Sequence, residues 1–410
     1  MKKYCIIAIV FIAQMGIAKT IDVCKTCEIN SIQQAISSAQ NYDTLIFEKG
    51  TYKSIDATVD KPLTIISLNG AILDGKHKSY ILKIVSDSVT ISGFTFINAG
   101  KSYTKDYAAV YLSRCKYFTL TNNRVENPFF GFLIEKSHHG TITNNYLFGQ
   151  SKREDDSGNG IHLWHSSNIL IQGNEVHDLR DGIYFEFVSE STIKENYSHN
   201  NVRYGLHFMF SNNNQYIENT FSNNGAGVAV MFSKFITMRK NTFERNWGTA
   251  SYGLLLKEIY DAEISENKFS QNTIGIFTEG STRINYYQNN FNGNGWAVKI
   301  AGACYTNNFE RNNFLNNAFD ISYNSKLNDN KFSGNYWSSY TGYDLDKNGI
   351  GDIPYRPVKL FSYIVNKTPE TIVLLRSLFI DIINFSEKVS PVFTPDDLLD
   401  NQPLMRKVGY

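Results

Sequence analysis

One spacing constrains this chain more than any other. A glycine opening a six-residue apolar pattern recurs at Gly131, Gly160, Gly182, Gly205, Gly227, Gly253 and Gly275, in steps of 29, 22, 23, 22, 26 and 22 residues. An asparagine keeps the same rhythm at Asn123, Asn145, Asn174, Asn196, Asn219, Asn241, Asn267, Asn289, Asn312 and Asn330, in steps of 22, 29, 22, 23, 22, 26, 22, 23 and 18. Short strands between Asn and Gly turns at a period near 22 are what a right-handed parallel β-helix requires, because each coil holds three strands and three turns. Leucine-rich repeats share the period but need a Leu-x-x-Leu-x-Leu frame that is missing here. The expected fold is therefore all-β, with about a dozen coils over residues 19–340. Coils stacked ~4.8 Å apart make a rod about 60 Å long.

Within that rod, three strands repeat one design: Gly-Ile-Tyr-Phe-Glu-Phe from Gly182, Gly-Leu-His-Phe-Met-Phe from Gly205 and Gly-Val-Ala-Val-Met-Phe from Gly227. Residues one, three and five places after the glycine are apolar and share the buried face of a period-two strand. The outward places carry Tyr184, Glu186, His207, Met209 and Met231. The asparagine column is expected to be structural, with side-chain amides bonding to their copies above and below. Extra residues around Gln150 to Gly158 and around Trp247 to Ser251 account for the 29- and 26-residue steps. Both insertions fall between the Asn and Gly markers, so they bulge from one corner either side of the Gly205 strand, where repeat proteins usually place binding.

The ends break the rhythm. Lys2, Lys3, an apolar stretch from Ile6 to Ile12 and Gly16-Ile17-Ala18 read as a secretory signal over residues 1–18, too short in its apolar part for a membrane anchor. A short helix, with its start at Asn30 and Gln33 three places on, is expected to cap the first coil. Strands are expected over Thr44 to Phe47, Leu63 to Ser67 and Ser88 to Phe96. Residues 341–359 read as an Asp/Gly-rich terminating loop. Residues 360–410 read as an amphipathic helical extension, with helix starts at Thr368-Pro369-Glu370 and Thr394-Pro395. Its apolar run from Ile372 to Phe385 is too short and charged to cross a bilayer and too broad to lie free. Ile372, Leu375, Leu378, Phe379, Ile382 and Ile383 are thus candidate partner-binding residues.

Several groups could carry chemistry. A formal net charge of +1 gives no field for nucleic acid. Met209 and Met231 on adjacent coils, with His207 two places from Met209, offer thioether and imidazole donors suited to Cu(I); covered, they would simply fill space. Cys24-Lys-Thr-Cys27 is a soft-metal pair if reduced and a local disulfide if oxidised. Asp344, Asp346, Asn348 and Asp352 match a calcium loop in part, but Tyr355 stands where the bidentate glutamate belongs, so a rigid turn competes with calcium. Many β-helices act on polysaccharide, and such hydrolysis needs paired carboxylates; Asp155-Asp156 is the adjacent acid pair of the repeat body, inside a charged loop.

The runs Asp181-Gly-Ile-Tyr-Phe-Glu-Phe187, Arg203-Tyr-Gly-Leu-His-Phe-Met-Phe-Ser211, Gly225-Ala-Gly-Val-Ala-Val-Met231, Ala250-Ser-Tyr-Gly-Leu-Leu-Leu-Lys257 and Gly295-Trp-Ala-Val-Lys299 resemble the NosD family of periplasmic maturation proteins for nitrous oxide reductase. So do Gly334-Asn-Tyr-Trp-Ser-Ser-Tyr340, the Gly342 to Pro354 loop, Arg356-Pro-Val358 and Gln402-Pro-Leu-Met-Arg406. The resemblance implies a non-enzymatic, exported β-helix that works with an ABC-type ATPase and permease in supplying copper for the reductase's copper-sulfide centres. It implies as further partners a copper chaperone and the reductase, and a place at the inner membrane through the permease. No role for Cys24 and Cys27 carries over.

Overall fold

The structure, a computed structural model, describes residues 18–409 except 103, 325–328, 376 and 390–397. Strands run in threes around a right-handed parallel β-helix whose three faces hold 14, 12 and 13 strands. Pairing is parallel and in register, as in Leu206↔Val228, His207↔Ala229, Phe208↔Val230 and Met209↔Met231. Inward residues form one continuous core, with Phe221, Phe243, Phe269, Phe291, Phe314 and Trp337 stacked coil on coil. The glycine column lies on the 12-stranded face, where the coils approach closely. A Cβ on Gly205 would stand 2.8 Å from the Gly227 carbonyl oxygen, so only glycine fits.

The asparagine column is a ladder. Asn219 Oδ1 accepts from Asn196 N at 3.0 Å and Asn196 Nδ2 at 2.9 Å, while Asn219 Nδ2 donates to Ile193 O at 2.8 Å and Asn241 Oδ1 at 3.0 Å. Its last member is Asn335, which accepts from Asn312 Nδ2 at 3.0 Å. Asn330 belongs to a different corner, bonded to Asn307 at 2.9 Å, which explains the anomalous step of 18 in the sequence series. Another ladder joins Asn201, Asn224, Asn246, Asn272, Asn294 and Asn317.

At the N-terminal end the helix runs Ile32–Ser38 and buries Ile32, Ala35 and Ile36. Its cap is Ser31, not Asn30: Ser31 Oγ accepts from Gln34 N at 3.3 Å, and Gln34 Oε1 accepts from Asn30 N at 3.3 Å. The capping pair expected from sequence is thus present one residue later. The expected strand over Ser88 to Phe96 is two strands, Thr90–Ser92 and Thr95–Ile97, with Gly93 turning between them at φ 80°.

At the other end the extension is helical in three pieces, with no α-helix starting at Thr368-Pro369-Glu370. Leu360–Lys367 is α-helical, Pro369–Leu374 is a 3-10 turn without a side-chain cap from Thr368, and Leu378–Val389 is a second α-helix. The Thr394-Pro395 start lies outside the described residues. Residues 398–408 are not helical and close the last coil through isolated bridges: Phe332 bridges Asp400, Tyr336 bridges Leu404, and Asn313 exchanges hydrogen bonds with Val408. Asp400, fully buried, is the terminal acceptor of the ladder, taking Asn335 N at 3.0 Å, Asn335 Nδ2 at 3.1 Å and Trp337 Nε1 at 3.0 Å. No helix among the described residues is long and apolar enough to cross a membrane.

Candidate functional site

The strands Asp181–Glu186, Tyr204–Met209 and Ala226–Met231 are consecutive on the 12-stranded face. Both insertions border it. Residues 149–158 lead into Asn159–Trp164, two strands to one side of Tyr204–Met209, and residues 245–253 lead into Leu254–Lys257, two strands to the other. Glu154 of the first insertion reaches Arg203, with Nε to Oε2 at 3.6 Å. Tyr252 of the second packs with Ala226, Ala229 and Leu255 in a small apolar cluster that Met231 joins.

Register places Met209 directly beside Met231, both half-buried. His207 points outward yet is only 7 % exposed, and neither ring nitrogen has a hydrogen-bond partner among the described residues. Tyr204 and Tyr184 cover it, with ring centroids at 4.8 and 5.1 Å. Burial, then the positive charge of Arg203 and Arg180, pushes its pKa down to about 4, so its lone pair is free at neutral pH. A buried imidazole without a partner is a costly arrangement unless something uses it. The local charge is balanced by Asp181, buried between Arg180 at 3.5 Å and Arg203 at 3.9 Å; burial pushes its carboxyl up and the two arginines pull it back. Met209 and Met231, one coil apart, and the imidazole of His207 on the same strand as Met209 are donors of the kind that soft ions take.

One neighbouring feature escaped the sequence. His165, Phe187, Phe210 and Phe232 directly follow the outward residues Trp164, Glu186, Met209 and Met231, and they stack ring on ring at 4.5, 5.2 and 5.2 Å. All four have left-handed backbones, φ 48° to 55°, and the three phenylalanines are about 40 % exposed. The same turn is left-handed in neighbouring coils, at Arg114, Lys136 and Glu258, so the conformation belongs to the coil and the aromatic rings are what distinguish the ridge. Its signal was the Phe closing each six-residue pattern.

The other candidates separate. Cys24 and Cys27 are joined in a disulfide, which removes their thiolates as soft ligands in this state. In the Asp344 loop the carboxylates cap the turn itself: Asp344 accepts from Asn348 N and Gly349 N, Asp346 from Asn348 Nδ2, and Asp352 from Leu345 N. These are bonds the loop makes within itself. Asp155 is bound by Arg153 Nε and Nη2 at 2.9 and 2.6 Å. Asp156 accepts from Lys152 N and Arg153 N, bonds that hold its carboxyl below the usual range. The pair is therefore engaged within its own loop rather than poised across a cleft. Of the six apolar residues in the extension, Leu375 and Ile383 turn onto the rod with buried Trp296, Phe319, Phe361 and Ile380, while Ile372, Leu378, Phe379 and Ile382 remain exposed.

Comparison with known proteins bears on fold and family. A family 28 exopolygalacturonase from Yersinia enterocolitica superposes with a TM-score of 0.60 at 15 % identity, covering 77 % of this chain and 78 % of its own. PfbA, a surface adhesin of Streptococcus pneumoniae, gives 0.55 at 12 % identity over 71 % and 86 %. These likenesses establish the β-helix alone. Two proteins described as probable ABC transporter binding protein NosD are more informative. The one from Pseudomonas aeruginosa is 28 % identical over 368 residues, 85 % of each chain, and the one from Stutzerimonas stutzeri is 28 % identical over 377 residues, 85 % of this chain and 84 % of its own. The family model described as periplasmic copper-binding protein (NosD) matches residues 49–156 and 149–342, most of the rod, and on this ground the chain belongs to the NosD family.

Proposed function

We propose that this protein is a periplasmic, non-enzymatic accessory factor that works with an ABC transporter to deliver copper for assembly of the copper-sulfide centres of nitrous oxide reductase. The observation that carries the copper part is the Met209, Met231 and His207 face, where soft donors in register adjoin a neutral imidazole without a hydrogen-bond partner. Copper is cargo in this reading, received from a chaperone and passed on, so half-exposed thioethers serve better than a closed cage. The exposed residues Ile372, Leu378, Phe379 and Ile382 form the docking face for the permease, which would hold the rod at the inner membrane. The engagement of Asp155 and Asp156 within their loop disfavours the polysaccharide-enzyme alternative. The test is Cu(I) uptake by the exported protein under anaerobic conditions, compared with a Met209→Ala/Met231→Ala variant. Uptake is expected to fall at least tenfold with the fold retained; equal uptake by the variant refutes the assignment.

A further inference from the structure

A second donor cluster lies on a different face. His177 ends the strand Glu175–His177 and His199 ends the next, Tyr197–His199, and the two are register partners on the 13-stranded sheet. Their rings stack at 4.6 Å, within 12° of parallel. One carboxylate oxygen of Glu175 and one ring nitrogen from each histidine all lie within 4.8 Å of one another. Three atoms within that bound of one another leave a point at most about 2.8 Å from all of them, so shifts of no more than roughly 0.7 Å bring them to the ~2.1 Å of metal–nitrogen and metal–oxygen bonds. Both histidine side chains are 12 % exposed and Glu175 is 42 % exposed, which leaves solvent access on the carboxylate side.

The surroundings match a metal site in a second respect. His177 Nδ1 is bonded to Asp178 Oδ2, a carboxylate at a left-handed turn position directly after the strand, φ 55°. A carboxylate on one ring nitrogen fixes the tautomer and turns the other nitrogen into the ligand, the usual arrangement behind metal-bound histidines. That other nitrogen, Nε2, is met by the Tyr146 hydroxyl at 2.9 Å. His199 Nε2 already faces Glu175 Oε1 at 3.2 Å. The nearby Arg124 spends its Nε on Glu126 and its guanidinium face on Tyr146 and Phe148.

We propose that Glu175, His177 and His199 form a binding site for a borderline divalent transition ion, with Asp178 as the orienting carboxylate of His177. Two imidazoles and a carboxylate select Cu(II) and Zn(II) over Cu(I), with Cu(II) held more tightly by the general order of divalent affinities. The site is independent of the thioether face, which lies on another sheet and offers softer donors.

Tag-free full-length protein titrated with Zn(II) by calorimetry, and separately with Cu(II) followed by electron paramagnetic resonance, tests this. Wild type is expected to bind one ion at this site, with the Cu(II) spectrum showing two coordinated imidazole nitrogens. His199→Gln and Glu175→Gln are expected to weaken Zn(II) by tenfold or more. Asp178→Asn, which touches no metal, is expected to weaken it by roughly 10- to 100-fold. Met209→Ala/Met231→Ala is expected to leave both signals unchanged. The proposal is overturned if wild type shows no Zn(II) heat at millimolar ion. It is equally overturned if a His177→Gln/His199→Gln variant, folded by circular dichroism, keeps wild-type stoichiometry, affinity and spectrum.

Discussion

The buried Asp400 carboxylate ends the longest amide ladder of the rod, and replacing it by asparagine isolates that role at constant shape. Its Oδ2 accepts three donors, Asn335 N, Asn335 Nδ2 and Trp337 Nε1, and its Oδ1 accepts Gly334 N at 3.2 Å and Gln402 N at 3.0 Å. An asparagine keeps one oxygen, best placed where Oδ2 stands, and turns its NH2 toward the two donors at Oδ1. Two charge-assisted bonds are lost, nominally about 3–6 kcal/mol at 1.5–3 each. Gly334 and Gln402 sit where water can replace part of that, which leaves about 2–4 kcal/mol. The loss falls on docking of residues 398–408 against the last coil, because the remaining coils contact only their neighbours. By hydrogen exchange, amide protection in that tail should drop roughly 30- to 700-fold, at 1.4 kcal/mol per factor of ten. Protection around Asn219 should be unchanged. A tail as protected in Asp400→Asn as in wild type would refute the assignment of Asp400 as the closing acceptor.

Three further outcomes are expected. Asn219→Ala removes four hydrogen bonds in mid-rod and strands buried partners on Asn196, Ile193 and Asn241; denaturant unfolding should show a loss above about 3 kcal/mol, and a loss under 1 would contradict the ladder's structural role. Replacing Leu378, Phe379 and Ile382, which are 75, 59 and 55 % exposed, by serine should abolish co-purification with the permease while shifting rod stability by less than about 1 kcal/mol; retained co-purification rules out this docking face. Burial, then Arg180, pushes the pKa of His162 from 6.5 down to about 3. The unfolded chain therefore takes up the proton first, and stability falls as pH drops from about 6.5 toward 3, by at most about 1.4 kcal/mol per pH unit from this group. His162→Gln should flatten that acid limb in thermal melts, and an unchanged pH dependence counts against it.

The coil rhythm was legible because each repeat carries two residues that backbone geometry demands, a glycine where coils approach and an asparagine where the turn leaves unpaired amides. What misled was the existence of several amide ladders: Asn330 and Asn335 stand five residues apart, and only the pairing Asn312 to Asn335 shows which column each belongs to. His177 and His199 lie outside the glycine-opened strands, on short strands of another face, although each stands three places after its asparagine marker. Asp400 was invisible for a different reason. Apart from Gln402, the partners of its carboxylate are more than 60 residues away, and nothing local to Leu399-Asp400-Asn401 announces a buried carboxylate. The break at Thr368 follows from Pro369, which disfavours helical backbone in the residue before it, while Leu375 and Ile383 pack against the cluster of Trp296, Phe319, Phe361 and Ile380.

Stacking at ~4.8 Å makes any donor repeated at the same place in consecutive coils a ligand pair. Met209 and Met231 meet that condition on the 12-stranded face, and His177 and His199 meet it on the 13-stranded one. A globular metal site needs loops folded toward one point, whereas a coil needs only the repetition and one further donor, His207 in the first case and Glu175 in the second. On the two proposed assignments donor chemistry would divide the work between the faces: thioethers with a neutral imidazole for the soft monovalent ion, imidazoles with a carboxylate for the borderline divalent one. Because the core separates the two faces, a change of donor on one leaves the other's register and ligands in place, so the two affinities are separable by mutation in a single folded rod.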